Sequence, residues 1–162
     1  VRRVVYIATP HAGSSIAARG VGRVSASLVR ADREQQARHR QLIQENPDAF
    51  TGIFRKRIPT SIDLLDPSNC TLRTIHGLSV PARVAQHSIV GTGKRLMSFT
   101  DSDGVVCIDS ASHADSVSVH HVAAAHTEIT REPITILEVA RILRLHLDQM
   151  DHACTALDPA ND

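Results

Sequence analysis

The chain has 162 residues, 42% of them apolar, which suits one domain with a buried core. Lys plus Arg number 18 against 17 for Asp plus Glu, a formal net charge of +1, which argues against a nucleic-acid surface or a polybasic membrane patch. Three Phe, one Tyr and no Trp leave no aromatic platform for stacking bases, and no apolar run approaches the ~18 residues that span a bilayer.

Val4 to Ala8 is a β-branched apolar run between Arg2-Arg3 and Thr9-Pro10, and reads as a strand buried on both faces, as in a parallel sheet. Because Val1 stands at the head of that strand, the natural start of the protein is expected upstream. Pro10 and Gly13 end the strand in a turn. Ser14 or Ser15 is placed to cap a helix over 16–30, where Val21, Val24, Leu28 and Val29 recur at near-helical spacing against the weakening effect of Gly20 and Gly22. The polar, helix-forming stretch Ala31 to Gln44 predicts a solvated helix stopped by Asn46-Pro47-Asp48, and Arg55-Lys56-Arg57 a solvated basic surface.

Ser61 is the expected cap of a helical turn that Asp66-Pro67-Ser68-Asn69 closes. Ala82 to Gly91 predicts a second strand, left by a Gly91-Thr92-Gly93-Lys94 loop too short for a phosphate loop. The alternating Ser116 to Val122 predicts a third strand. Glu132-Pro133 then opens the strongest helix of the chain, with Ile134, Ile136, Leu137, Val139, Ile142, Leu143, Leu145 and Leu147 as a broad apolar face, and residues 151–162 are expected to fray. Cys70, Cys107 and Cys154 lack C-x-x-C spacing and read as small buried or half-buried thiols.

Strands separated by helical or irregular crossovers imply a parallel sheet with helices on its faces, an α/β class in which ligands gather outside the carboxyl ends of the strands. The residues just past those ends are Thr9 to Ser14, Gly91 to Asp103, and His126. Asp103, before Gly104, suits a tight turn that aims a carboxylate inward, with Asp101 as its rival; His126 follows Asp103 by 23 positions. A carboxylate that holds a histidine, which in turn takes a proton from a serine, is the arrangement of a Ser-His-Asp hydrolase. His120 and His121 sit on one strand with opposite facing and cannot chelate a metal together, while His113, Asp115 and His120 offer an alternative as a metal-binding module.

Four segments in this order resemble the C-terminal half of a bacterial lipase-like α/β-hydrolase of the serine carboxylester hydrolase family. They are Ile7-Ala8-Thr9-Pro10-His11-Ala12-Gly13-Ser14, Pro59 to Pro67, His87-Ser88-Ile89-Val90-Gly91, and Ser102-Asp103-Gly104-Val105-Val106 through Ser112-His113 to His126. The resemblance implies a partial α/β-hydrolase domain over 1–150, the last three strands of a mostly parallel sheet, with 31–57 as a candidate cap insert. It implies Asp103 as triad acid, His126 as triad base, and Pro10, His11, Gly13 and Ser14 as loop walls.

The family's chain order, Ser…Asp…His, puts the nucleophile before the acid on a G-x-S-x-G elbow, and this sequence has no such elbow. The serine is therefore expected upstream, and neither Ser14 nor Ser15 replaces it. Cys107 stands where the family has proline, and Ala125 where glycine often precedes the histidine. The implied substrate is a small-molecule or lipid ester, with no cofactor; Glu128 is the carboxylate nearest a calcium position that some related lipases use. The alternative is a truncated, noncatalytic remnant. Without the strand before it, Val4 to Ala8 is expected to be an unpaired apolar edge and the isolated chain poorly soluble.

Overall fold

The polypeptide leaves β1 (Arg3–Ile7) through Ala8, whose φ of 49° turns the backbone out of the strand direction. The computed structural model describes residues 2–14, 32–50, 52–58, 60–95 and 101–155. Ser15, the helix expected over 16–30 and residues 156–162 of the expected frayed tail lie outside them. The chain divides into two compact units, Val1–His11 with Leu78–Asp162, and Ala12–Gly77.

The second of these holds four helices among the described residues: α1 (Arg33–Glu45), α2 (Ile53–Lys56), α3 (Ser61–Leu64) and α4 (Cys70–His76). Asp32 and Gln35 close a capping box on α1, Asn46 ends it, and the helix buries none of its residues, as its polar sequence predicts. Thr60, rather than Ser61, caps α3, because Asp63 reaches back to the Thr60 N–H at 2.7 Å and its hydroxyl at 2.8 Å. The basic cluster is not simply solvated. Arg55 donates to the Pro47 carbonyl, and Arg57 makes a two-point ion pair with Asp63 at 2.6 and 2.8 Å. Cys70, at the first position of α4, is exposed, against the expectation of a buried or half-buried thiol.

Burial pushes the Asp63 carboxyl up, but the Arg57 guanidinium and the Thr60 donors more than offset it and leave Asp63 below its usual range. The pair's stabilisation is therefore complete above about pH 4 and lost as pH falls through the lowered folded value. Asp63→Asn is expected to cost about 1–2 kcal/mol near neutral pH and to remove that acid dependence, which urea unfolding at about pH 7 and about pH 3 would show.

In the first unit β1, β2 (Ala85–Gly91) and β5 (Ser116–Val122) form a parallel sheet in the order β1-β2-β5. Between β2 and β5 the chain makes a small antiparallel hairpin, β3 (Lys94–Arg95) with β4 (Asp101–Ser102), and a short helix, α5 (Ile108–Ala111). The terminal helix α6 (Pro133–Thr155) follows a 3-10 turn at Ile129–Arg131 and extends past His152, where fraying was expected.

The strand buried on both faces is β2, not β1 as its apolar run predicts: β2 pairs on both sides, whereas β1 is half-buried and pairs with β2 alone among the described residues. Alternate side chains of β2 feed two cores. Ile89 packs with Ala8, Val122, Ala124 and Ile129, with Val139 of α6 against them; Val90 packs with Val106 and Ala111, with Ile108 of α5 against them. Helical residues thus cover both faces, which makes the unit α/β.

On α6 the buried stripe is narrow, Thr135, Glu138 and Ile142, while Ile136, Leu137, Leu143 and Leu147 are more than half exposed. The broad apolar face expected from the sequence is thus mostly uncovered. Among the described residues no helix is long and apolar enough to cross a membrane. Replacing Leu143 and Leu147 together by Gln is expected to raise the soluble yield while each change moves stability by less than about 0.5 kcal/mol. Sedimentation after concentration, with a thermal melt alongside, would test both halves of that expectation.

Candidate active site

The site starts where β2 ends. Gly91 is its last residue, and a Cβ there would lie 2.6 Å from the Cβ of Asp103 and 3.0 Å from the Ala124 carbonyl oxygen. Only glycine lets the loops after β2 and β5 close so tightly on this strand end. The β3–β4 hairpin then brings the chain to Ser102, which bridges to Cys107 across a tight loop. Within the loop Gly104 takes a φ of 94° and donates its N–H to the Ser102 hydroxyl at 3.1 Å. Val106, buried against Val90 and Ala111, anchors the far side.

This loop holds the Asp103 carboxylate from within the chain. Oδ1 accepts the N–H groups of Val105 at 2.9 Å and Val106 at 2.7 Å, an aspartate turn of the kind that Asp-Gly sequences favour. Oδ2 lies 2.7 Å from Nδ1 of His126. A main-chain bond from the His126 N–H to the Asp103 carbonyl, 2.9 Å, ties the two loops a second time. Asp103 is 2% exposed, whereas the His126 side chain is 36% exposed.

His126 reaches this position because β5 ends at Val122 and the chain turns through the buried Ala124 and Ala125 into the 3-10 turn. Ala125 accepts from both Glu128 and Ile129. With Oδ2 accepting, the ring carries its proton on Nδ1 and leaves the lone pair on Nε2. A half-exposed imidazole held in this tautomer by a buried carboxylate can take a proton from a hydroxyl and return it to a leaving group. The Asp103–His126 pair has the geometry of the acid–base half of a nucleophilic triad.

Of the residues singled out in the sequence, Asp103 and His126 are brought together. Asp101 is exposed on β4, and the carboxylate facing His126 is that of Asp103. Pro10 and His11 belong to the first unit, Gly13 and Ser14 to the second. His11 packs edge-on against Tyr6 and His113 at ring distances of 4.5 and 4.8 Å, and its N–H donates to the Ser110 carbonyl. His120 is half-buried and His121 exposed, in keeping with opposite facing, and His113 Nδ1 accepts the Asp115 N–H. Among the described residues no three His, Cys, Asp or Glu side chains are grouped to hold a metal.

The Val105 and Val106 amides fix the carboxylate and the Ser102 hydroxyl holds the Gly104 N–H of the same loop; in the sequence their only signal is the short Asp-Gly turn. A cavity of about 780 Å³ lies away from the pair, walled by Arg2, Pro81, Arg83, Gln86, Asp115 and Gln149 near the amino ends of the strands. The chain matches no family model, no curated protein and no solved structure.

Proposed function

We propose that this chain carries the acid and the base of a serine ester hydrolase of the lipase-like α/β type. The observation that supports it is the 2.7 Å contact between buried Asp103 Oδ2 and His126 Nδ1, made by loops that leave the carboxyl ends of two adjacent parallel strands. In this reading His126 Nε2 takes the proton of a serine, Asp103 stabilises the imidazolium that forms, and His126 returns the proton to the departing alkoxide. The substrate class is a carboxylic ester, and the serine lies N-terminal to Val1. Cys107 holds a φ of −75°, within the range that proline imposes, so its departure from the family's pattern leaves the loop's backbone path open to either residue.

A second reading, a noncatalytic remnant of such a hydrolase, is favoured by one observation: the sequence contains no G-x-S-x-G. One experiment separates the two. The protein is expressed with its in-frame upstream sequence and exposed to a fluorophosphonate probe and to p-nitrophenyl esters. Labelling of a serine upstream of Val1, with ester turnover that His126→Ala reduces by roughly 10³-fold or more, supports the hydrolase. Absence of both labelling and turnover supports the remnant.

A further inference from the structure

The face of the sheet beneath α6 carries a polar seam, and His87 of β2 lies at its centre, 2% exposed. Its Nε2 is 2.9 Å from Nη1 of Arg3 on β1, and its Nδ1 is 2.7 Å from Oγ of Ser118 on β5. A guanidinium only donates, so Nε2 accepts through its lone pair and Nδ1–H donates to Ser118. The site is built around a neutral ring. Arg3 also donates through Nη2 to the Leu145 carbonyl at 3.5 Å, an exposed strap between β1 and α6 at Leu145.

The other charged and titratable groups of the seam come from β5 and α6. Glu138 of α6 pairs with Arg141 at 2.6 and 2.8 Å. His120 of β5 has a buried Nε2, and His146 of α6 a buried Nδ1, each without a hydrogen-bond partner among the described residues. Burial pushes the His87 imidazole below its usual range, the Arg3 and Arg141 cations push it further, and Glu138 opposes them.

We propose that this seam is a proton-operated latch on α6, in which protonation of His87 turns an N–H against Arg3, breaks their bond, loosens the strap on Leu145 and releases residues 143–155 from the sheet. Ile142, fully buried, and Val139, packed on the core around Ile89, keep the first half of the helix in place. A ring whose folded value is depressed binds its proton more readily once undocked, so docking is complete above about pH 6.5 and weakens as pH falls below it. None of this uses Asp103 or His126.

Hydrogen exchange of the whole chain, corrected for intrinsic rates, tests the latch between about pH 7.5 and about pH 5.5. In the wild type, exchange over 143–155 is expected to rise severalfold, up to the roughly tenfold that one ring can supply over this range, while β2 and β5 stay protected; in His87→Gln the rise is expected to stay below about twofold. No rise in the wild type, an equal rise in His87→Gln, or loss of protection in β2 and β5 at the same pH overturns the proposal. Should His87→Gln fail to fold, side-chain nitrogen spectra of the wild type decide. A His87 ring protonated on Nδ1 alone near pH 7.5, and charging in step with the opening of 143–155, supports the latch; a ring that stays neutral while the helix opens overturns it.

Discussion

If the protein is the proposed ester hydrolase, Asp103→Asn is expected to lower its kcat by about 10⁴-fold with little change in fold. The asparagine keeps an oxygen for the Val105 and Val106 amides, which hold Oδ1 at 2.9 and 2.7 Å, so the loop has every reason to keep its path. The other arm then presents an amide NH₂ to His126 Nδ1, where Oδ2 stands at 2.7 Å in the native pair. A donor facing that nitrogen forces the ring's proton onto Nε2, and the lone pair needed to accept the serine proton is lost. Steady-state kinetics with a p-nitrophenyl ester checks the rate, and circular dichroism checks the fold. A loss smaller than about tenfold would remove Asp103 from the proposed mechanism.

Gly91→Ala is expected to have a large effect on the structure at the site itself. The new methyl would stand 2.6 Å from the Asp103 Cβ, 3.0 Å from the Ala124 oxygen and 3.3 Å from Ile129 Cδ1. None of these neighbours moves cheaply. Asp103 is pinned by its own turn, Ala124 belongs to the main chain leading to His126, and Ile129 is fully buried. The overpacking is expected to cost about 2–3 kcal/mol and to lower Tm by about 5–10 °C. It also parts the loops that carry Asp103 and His126, so the Nδ1–Oδ2 contact lengthens. A thermal melt measures the first effect, and the chemical shift of the His126 Nδ1 proton the second. An unchanged melt would show that the strand end is looser than its close contacts indicate.

The two candidate residues were legible because their signals are local. A carboxylate before glycine predicts a tight turn, and a histidine just past a β-branched run predicts a strand end. Parallel topology then sends both loops to one edge of the sheet. Asp103 was separable from its rival Asp101 only through the glycine that follows it, since the composition around two carboxylates says nothing about which meets a ring 23 positions away. Likewise Val4 to Ala8 looked more deeply buried than Ala85 to Gly91 because its composition is more apolar. Burial in fact follows the number of neighbouring strands, and β2 has two.

What the sequence determined by itself is the main elements and their polarity: three β-branched strands, a solvated helix at α1, a long helix opened by Pro133, and an Asp-Gly turn ahead of the third strand, but not the β3–β4 pair or the short helices α2, α4 and α5. Propensity, capping and turn chemistry act within a few residues, so a reader of the chain has all their inputs. Only the tertiary structure decided that β2 is central, that α6 buries a narrow stripe rather than its whole apolar face, and that His87 is walled by Arg3 and Ser118. It also set the two loops against Gly91 so that Asp103 meets His126. Each of these depends on what stands opposite a residue across the sheet or the core, and that partner comes from a distant part of the chain.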